Sequence, residues 1–381
     1  MTAETDISKT FNSVSEKLEI PTKSTLESTN NTSDMSVQQA IPPAPYQIDP
    51  SIIGKFDKEY VNFFNSHLTR ATNLLYTHLG NLQEIKAGGN VIPGQSPLAP
   101  LKSTYDIQIP RKYTKADTTI PARVFVPVGE APEKGWPCTV WYHGGGWVLG
   151  SIDTENSYCS HIADNAKCIV ISVDYRLAPE FPFPACIDDS YEALLHIYEN
   201  ASKFNIDNSK IAVAGSSAGG NISAVLTHKY ASDPISKSYH PLAFQLLIVP
   251  VCDNTADSDT HLSYKEFRNT VQLPRDKMFW YRNLYLPNKE DWNNPVASPY
   301  FYPAESFKNC PPAFIAVAAC DVLRTEGEEY AAKLQEAGVD AELVIYPGVP
   351  HTVMVMDDVL TQGRRLVKET TGALKNAFYN N

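Results

Sequence analysis

The chain has 381 residues, 43% of them hydrophobic, which is enough to bury a sizeable core and suits one large domain with additions. Its formal net charge of -11 excludes the basic surface that nucleic acid or an anionic membrane demands of a partner. No stretch is long and apolar enough to span a bilayer, and the N-terminus lacks basic residues followed by an apolar run, so a soluble cytoplasmic protein is expected.

Residues 1–45 are rich in Ser, Thr, Glu, Lys and Asn and poor in aromatics, a composition that cannot offset ordering entropy, and they read as a disordered tail. Apolar residues then recur at helical spacing: Phe56, Tyr60, Phe63, Phe64, Leu68 and Leu75 predict one or two amphipathic helices. A Gly/Pro-rich linker reaches residue 100, so 46–100 reads as helices plus linker and 101–381 as the main domain. Two extended runs, one from Tyr105 and one from Ala122, predict an antiparallel edge pair. Apolar strands then alternate with helical segments, which predicts a mostly parallel sheet with helices on both faces. Between about 254 and 302 this alternation lapses into an insertion whose Met278, Phe279, Trp280, Tyr281, Leu284 and Tyr285 fall on one helix.

The chemistry concentrates at strand ends. Gly215-Ser216-Ser217-Ala218-Gly219 follows the apolar run Ile211-Ala212-Val213-Ala214 and precedes a helical stretch, the arrangement that exposes a nucleophilic serine on a sharp turn. Gly215 and Gly219 allow strand and helix to approach closely, so the central Ser217 is the candidate nucleophile, not Ser216. No Lys follows the glycines, which excludes a phosphate-binding P-loop. Upstream, an apolar strand runs into His143-Gly144-Gly145-Gly146-Trp147, whose backbone NH groups can converge on an anion. Downstream, Asp321 ends one apolar strand, and His351 follows another across the turn Pro347-Gly348-Val349-Pro350. Chain order Ser217, Asp321, His351 is nucleophile, acid, base, the order of the α/β-hydrolase fold. Asp253 also sits at a strand end and is the rival acid.

These motifs, with Asp174-Tyr175-Arg176-Leu177-Ala178-Pro179-Glu180 and Asp321-Val322-Leu323-Arg324-Thr325-Glu326-Gly327, resemble the hormone-sensitive-lipase-like carboxylesterases of the α/β-hydrolase superfamily over roughly residues 105 to 355. The resemblance implies an α/β-hydrolase fold with a mostly parallel eight-stranded sheet and a helical cap built from the N-terminal helices and the 254–302 insertion. It also implies an oxyanion hole from the NH groups of Gly145, Gly146 and Ala218, with His143, Gly144, Gly215 and Gly219 supporting it. A two-step hydrolysis of short- to medium-chain carboxylic esters follows from it, with a small-molecule ester as partner and no cofactor. Trp147, Phe279, Trp280 and Val353 are the expected pocket walls. An amidase, deacetylase or lactonase would share the triad, and a non-catalytic receptor on the same scaffold would have lost the base that His351 supplies. The chain departs from the family pattern at Ser216, where an acidic residue is usual, and at Val322 and Thr352.

Bland roles are expected for the remaining polar residues. His143 is expected to hold the glycine loop. Asp174, Arg176 and Glu180 read as a loop-fixing ion pair, and Asp188 and Asp189 as solvent-facing or capping residues on a helix. The other histidines show no metal-ligand spacing, so no metal is expected. The seven cysteines are scattered through apolar runs and read as buried thiols.

Overall fold

The computed structural model describes residues 41–88, 92–116 and 118–380, so the expected tail lies outside the described residues up to residue 40. Eight strands form one sheet: β1 Leu101–Ile109, β2 Ile120–Pro127, β3 Trp136–Tyr142, β4 Ile169–Val173, β5 Ile206–Ser216, β6 Phe244–Ile248, β7 Ala313–Ala318 and β8 Ala341–Tyr346. Their spatial order is β1-β2-β4-β3-β5-β6-β7-β8. β1 and β2 pair antiparallel at one edge and β2 runs antiparallel to β4, while every other pairing is parallel. Successive side chains of a strand point to opposite faces, so the unbroken burial of β3, β4, β6 and β7 means that both faces are covered. The cover is helical: Asn156–Ala166 packs on Thr361–Tyr379, Ala185–Glu199 on Ala218–Ser232, and Arg324–Glu336 lies over β7 and β8. Edge strand β1 is largely exposed and carries Lys102, Ser103, Thr104 and Asp106, polar side chains that discourage edge-to-edge pairing.

The N-terminal segment is helical but broken into short pieces, among them Lys58–Phe63, Phe64–Leu68, Thr72–Leu75 and Leu82–Gly88, instead of the one or two helices expected. The apolar period survives while the backbone leaves helical geometry at Ala71 (φ -85, ψ 63) and Tyr76 (φ -117, ψ 31). Tyr60 and Phe64 are fully buried, and Phe56 stacks on Tyr60 at 5.3 Å. Two polar ties fasten the segment to the far end of the chain: the Asp57 amide donates to Gly348 O at 2.8 Å, and the Thr361 amide donates to the Glu59 carboxylate at 2.7 Å. The insertion after β6 contributes helices Leu262–Glu266 and Arg275–Tyr285. Asn221, one turn past Ser217, donates to Val251 O at 2.8 Å and Ala297 O at 2.9 Å, fixing both ends of the insertion to the helix that follows the serine. All seven cysteines are buried free thiols.

Two ionic expectations are corrected. Asp189 neither faces solvent nor caps a turn; it is fully buried and gathers two arginines. Arg176 clamps it with Nε at 2.9 Å and Nη2 at 2.8 Å, and Arg111 donates from the other side. Arg176 thus turns away from Asp174 and Glu180 toward helix Ala185–Glu199, and Glu180 pairs with Lys86 instead. Sequence proximity suggested partners, but a planar guanidinium takes the carboxylate it can meet with two parallel donors. Burial pushes the Asp189 carboxyl up, and the bonds from Arg176 and Arg111 outweigh it, leaving it below the usual carboxylate range. A depressed folded-state value stabilises above the unfolded carboxylate value, and the contribution disappears as pH falls through the folded one. Asp189→Asn should therefore cost about 3 kcal/mol at neutral pH, because it leaves two arginines facing a neutral amide. Urea unfolding at pH 7 and in acid should show the gap between variant and parent closing as pH falls.

Candidate active site

The sheet delivers its chemistry at the C-terminal ends of β3, β5, β7 and β8, where parallel strands of an open α/β sheet leave a crevice. β5 ends at Ser216, and helix Ala218–Ser232 starts two residues later, so Ser217 alone makes the turn, at φ 54, ψ -116. That conformation is costly for a residue with a side chain. It is held by the Ser217 amide donating to Ile248 O at 2.8 Å and by the Asn221 amide donating to Ser217 O at 3.0 Å. The helix then passes so close to β3 that a Cβ on Gly219 would lie 1.8 Å from Tyr142 O, which only glycine permits. Gly215, within β5, pairs with Tyr142 on one side and Leu247 on the other.

His351 lies just beyond the turn after β8 and Asp321 just beyond β7, and both are buried. His351 Nδ1 donates to Asp321 Oδ2 at 2.7 Å, and Ser217 Oγ is 2.9 Å from His351 Nε2. The fold thus joins the three side chains into one hydrogen-bonded row. Asp253 is elsewhere: its Oδ1 accepts from the Thr255 amide at 2.7 Å and hydroxyl at 2.6 Å, and the histidine nearest it is His261, at 3.8 Å.

The loop after β3 brings Gly144, Gly145 and Gly146 to the same crevice. Among the described residues, the amides of Gly145, Gly146 and Ala218 donate to no protein acceptor. Gly146 has φ 63, and a Cβ there would meet Tyr281 Cγ at 2.3 Å. His143 lies beneath the loop, stacked on Tyr175 at 4.3 Å, with Nδ1 2.7 Å from Gly144 O. Burial pushes its imidazole down to about 4, so it is neutral and bound into the loop. Beside it, Glu155 is buried and accepts from Ser216 Oγ at 2.6 Å, Trp141 Nε1 at 2.8 Å and the Gly144 amide at 3.3 Å.

A cavity of about 410 Å³ opens over Ser217 and His351. Its walls come from the N-terminal segment (Leu68, Leu74, Leu75), from the insertion (Leu273, Lys277, Met278, Tyr281) and from Leu149 and Met354. The Lys277 ammonium is buried, donates to Leu74 O at 2.7 Å, and is pushed down to about 7 by that burial. Among the described residues no three His, Cys, Asp or Glu side chains stand close enough to hold a metal ion.

Compared with known proteins, residues 139–355 match the alpha/beta hydrolase fold family. The chain belongs to the hormone-sensitive-lipase-like α/β-hydrolases. It is 56% identical over 331 residues to an AB hydrolase superfamily protein of Schizosaccharomyces pombe, covering 87% of this chain and 96% of that one. Carboxylesterase NlhH of Mycobacterium tuberculosis is 39% identical over 264 residues, 69% of this chain and 80% of that protein. Among solved structures, the Ser161Ala mutant of LAE6, an alpha/beta hydrolase enzyme from the metagenome of Lake Arreo in Spain, superposes with a TM-score of 0.76 at 30% identity, over 85% of this chain and 99% of that one.

In this hydrolase the four expected pocket walls do not line the cavity. Trp147 is fully buried against Tyr285 at 4.3 Å, and Val353 is buried in the core. Phe279 stacks on Tyr264 at 5.9 Å with the Arg282 guanidinium 4.2 Å from its centroid, and Trp280 meets Tyr281 edge-on. The correct face of helix Arg275–Tyr285 is one step away, through Lys277, Met278 and Tyr281, whose spacing follows the helical period. Helical spacing marked the stripe without saying which edge of it meets the ligand.

Gly146→Ala should cut ester turnover by at least about 100-fold, since it displaces an amide aimed into the cavity, and should leave the far-ultraviolet circular dichroism unchanged. Adding Tyr281→Ala makes room for the new Cβ and should recover part of the rate. No recovery would mean that backbone strain at φ 63, and not the ring, sets the loss.

Proposed function

We propose that this chain is a carboxylesterase that cleaves esters of short to medium acyl chains by two-step acyl transfer. The single observation that carries the proposal is the row Ser217–His351–Asp321, with its serine partly exposed at the base of a cavity beside free backbone NH groups. The naming of relatives as carboxylesterase, ethyl acetate hydrolase and arylesterase supports the ester-hydrolysing activity.

His351 takes the proton from Ser217 as Oγ attacks the ester carbonyl, and Asp321 fixes the imidazole tautomer and stabilises the imidazolium. The oxyanion is received by the amides of Gly145, Gly146 and Ala218. The tetrahedral adduct collapses, His351 protonates the leaving alcohol, and water then attacks the acyl-enzyme by the same path. No cofactor enters this sequence. A cavity of about 410 Å³ with mostly apolar walls suits a small monomeric ester rather than an emulsified fat. Residues 46–100 and 254–302 act as the two halves of a cap over it. The acidic net charge argues against nucleic acid as a partner, and a cytoplasmic enzyme is the reading that the composition supports best. No helix among the described residues is long and apolar enough to cross a membrane.

Ser217→Ala should lower kcat/KM for a nitrophenyl ester by at least about three orders of magnitude, whereas Ser216→Ala should lose no more than about tenfold. Asp321→Asn should lose far more than Asp253→Asn, and equal losses would leave the acid unassigned. His351→Ala should abolish turnover, because nothing then takes the Ser217 proton.

The cap is tested through its roof. Leu75→Ala enlarges the cavity and should shift the optimum in a series of nitrophenyl esters toward longer acyl chains. An anilide in the same panel separates esterase from amidase, and an unchanged chain-length profile would count against the cap.

A further inference from the structure

Glu155 is a buried carboxylate that forms no ion pair among the described residues. Burying such a group is expensive unless its oxygens are fully used. They are used in a particular way. Oε1 accepts from the Ser216 hydroxyl at 2.6 Å and from the Gly144 amide at 3.3 Å, and Oε2 accepts from the Trp141 indole at 2.8 Å. The Gly144 amide and the Trp141 indole can only donate, one to each oxygen, so both oxygens must accept. An ionised carboxylate satisfies all three at once, whereas an amide would turn its NH2 toward the Gly144 or the Trp141 N–H, which can only donate. The three partners also lie on three different parts of the site: the glycine loop, the serine turn and strand β3.

We propose that Glu155 is a positioning residue that locks the two halves of the oxyanion hole together. It holds the Gly145 and Gly146 amides, through Gly144, in fixed relation to Ser217 and Ala218, through Ser216. The proposal rests on Ser217 being the nucleophile. Oxyanion donors act only when they stand where the charge develops, and that place is defined relative to the attacking oxygen. The two segments are about 70 residues apart in sequence and also meet through the pairing of β3 with β5. Glu155 is also within electrostatic reach of His351, which becomes positive in the transition state. Burial pushes its carboxyl up to about 7, against the hydrogen bonds that favour the anion. Tyr158, Cys159 and Tyr175 also stand within electrostatic reach of it, and burial raises all three so that they stay neutral.

The test compares parent, Glu155→Gln, Ser216→Ala and Ser217→Ala on one nitrophenyl ester. Rates are normalised to the amount of a phosphonate probe bound at completion, and the probe is located by peptide mass. Glu155→Gln should lower kcat per titrated site by at least about 30-fold while KM changes less than about threefold. A kcat per titrated site within about threefold of the parent would overturn the proposal, since a purely structural role lowers only the titratable fraction. If Glu155→Gln does not fold, Ser216→Ala decides: it removes one of the two grips, and kcat should fall about three- to tenfold. A kcat equal to the parent's would overturn the proposal. Probe found on a residue other than Ser217 would instead sink the nucleophile assignment, so the two failures are told apart.

Discussion

The site depends on a close approach that leaves no room for a side chain. Helix Ala218–Ser232 crosses the end of β3 at a distance that only a hydrogen on Gly219 can occupy, and the turn before it must therefore be a single residue. That residue, Ser217, accepts a left-handed φ at a cost of order 1–3 kcal/mol. The strain is sustained because the buried helix and the central strands on either side over-determine the backbone. Ser217 cannot relax without dragging Asn221, and Asn221 holds both ends of the insertion that supplies part of the cavity wall. The strained turn and that wall are thus one mechanical unit.

Two buried ionisable side chains of opposite sign border the cavity. Beneath the glycine loop lies a buried carboxylate, Glu155, and in the wall formed by the insertion lies a buried ammonium, Lys277. Neither faces an ion partner among the described residues; each is satisfied by groups that belong to different chain segments. Lys277 bonds the carbonyl of Leu74, so the insertion and the N-terminal segment meet at one donor. In low dielectric such contacts are stiffer than the same bonds in water.

Much of the fold and of the geometry of the candidate site is legible in the sequence, because the constraints there are local. A glycine-only crossing, an exposed serine between two small residues and polar side chains at strand ends all leave short, dense patterns. The antiparallel edge pair was legible for the same reason. What escaped depends on which segments meet. Asp189 sits on a helix whose spacing looks ordinary, and its arginines come from 78 and 13 residues away. Glu155 directly precedes helix Asn156–Ala166 within Asp153-Thr154-Glu155-Asn156, where it resembles a routine acidic helix start, yet it caps nothing and points inward. Phe279 and Trp280 drew notice for their size, but the cavity face of their helix is chosen by the neighbours it packs against. In the N-terminal segment the apolar period was visible while the breaks at Ala71 and Tyr76, set by docking, were not.

The ties between the N-terminal segment and the end of the chain also bear on how the protein is made. Glu59 waits for Thr361, its partner 302 positions later, and Asp57 waits for Gly348. At 5–20 residues per second a ribosome needs roughly 15–60 s to supply that partner. Throughout that interval Phe56, Tyr60, Phe63 and Phe64 have emerged without the surface that will cover them. This segment is therefore made well before the partners that tie it down, and a nascent chain exposes an aromatic stretch of the kind that holdase chaperones retain.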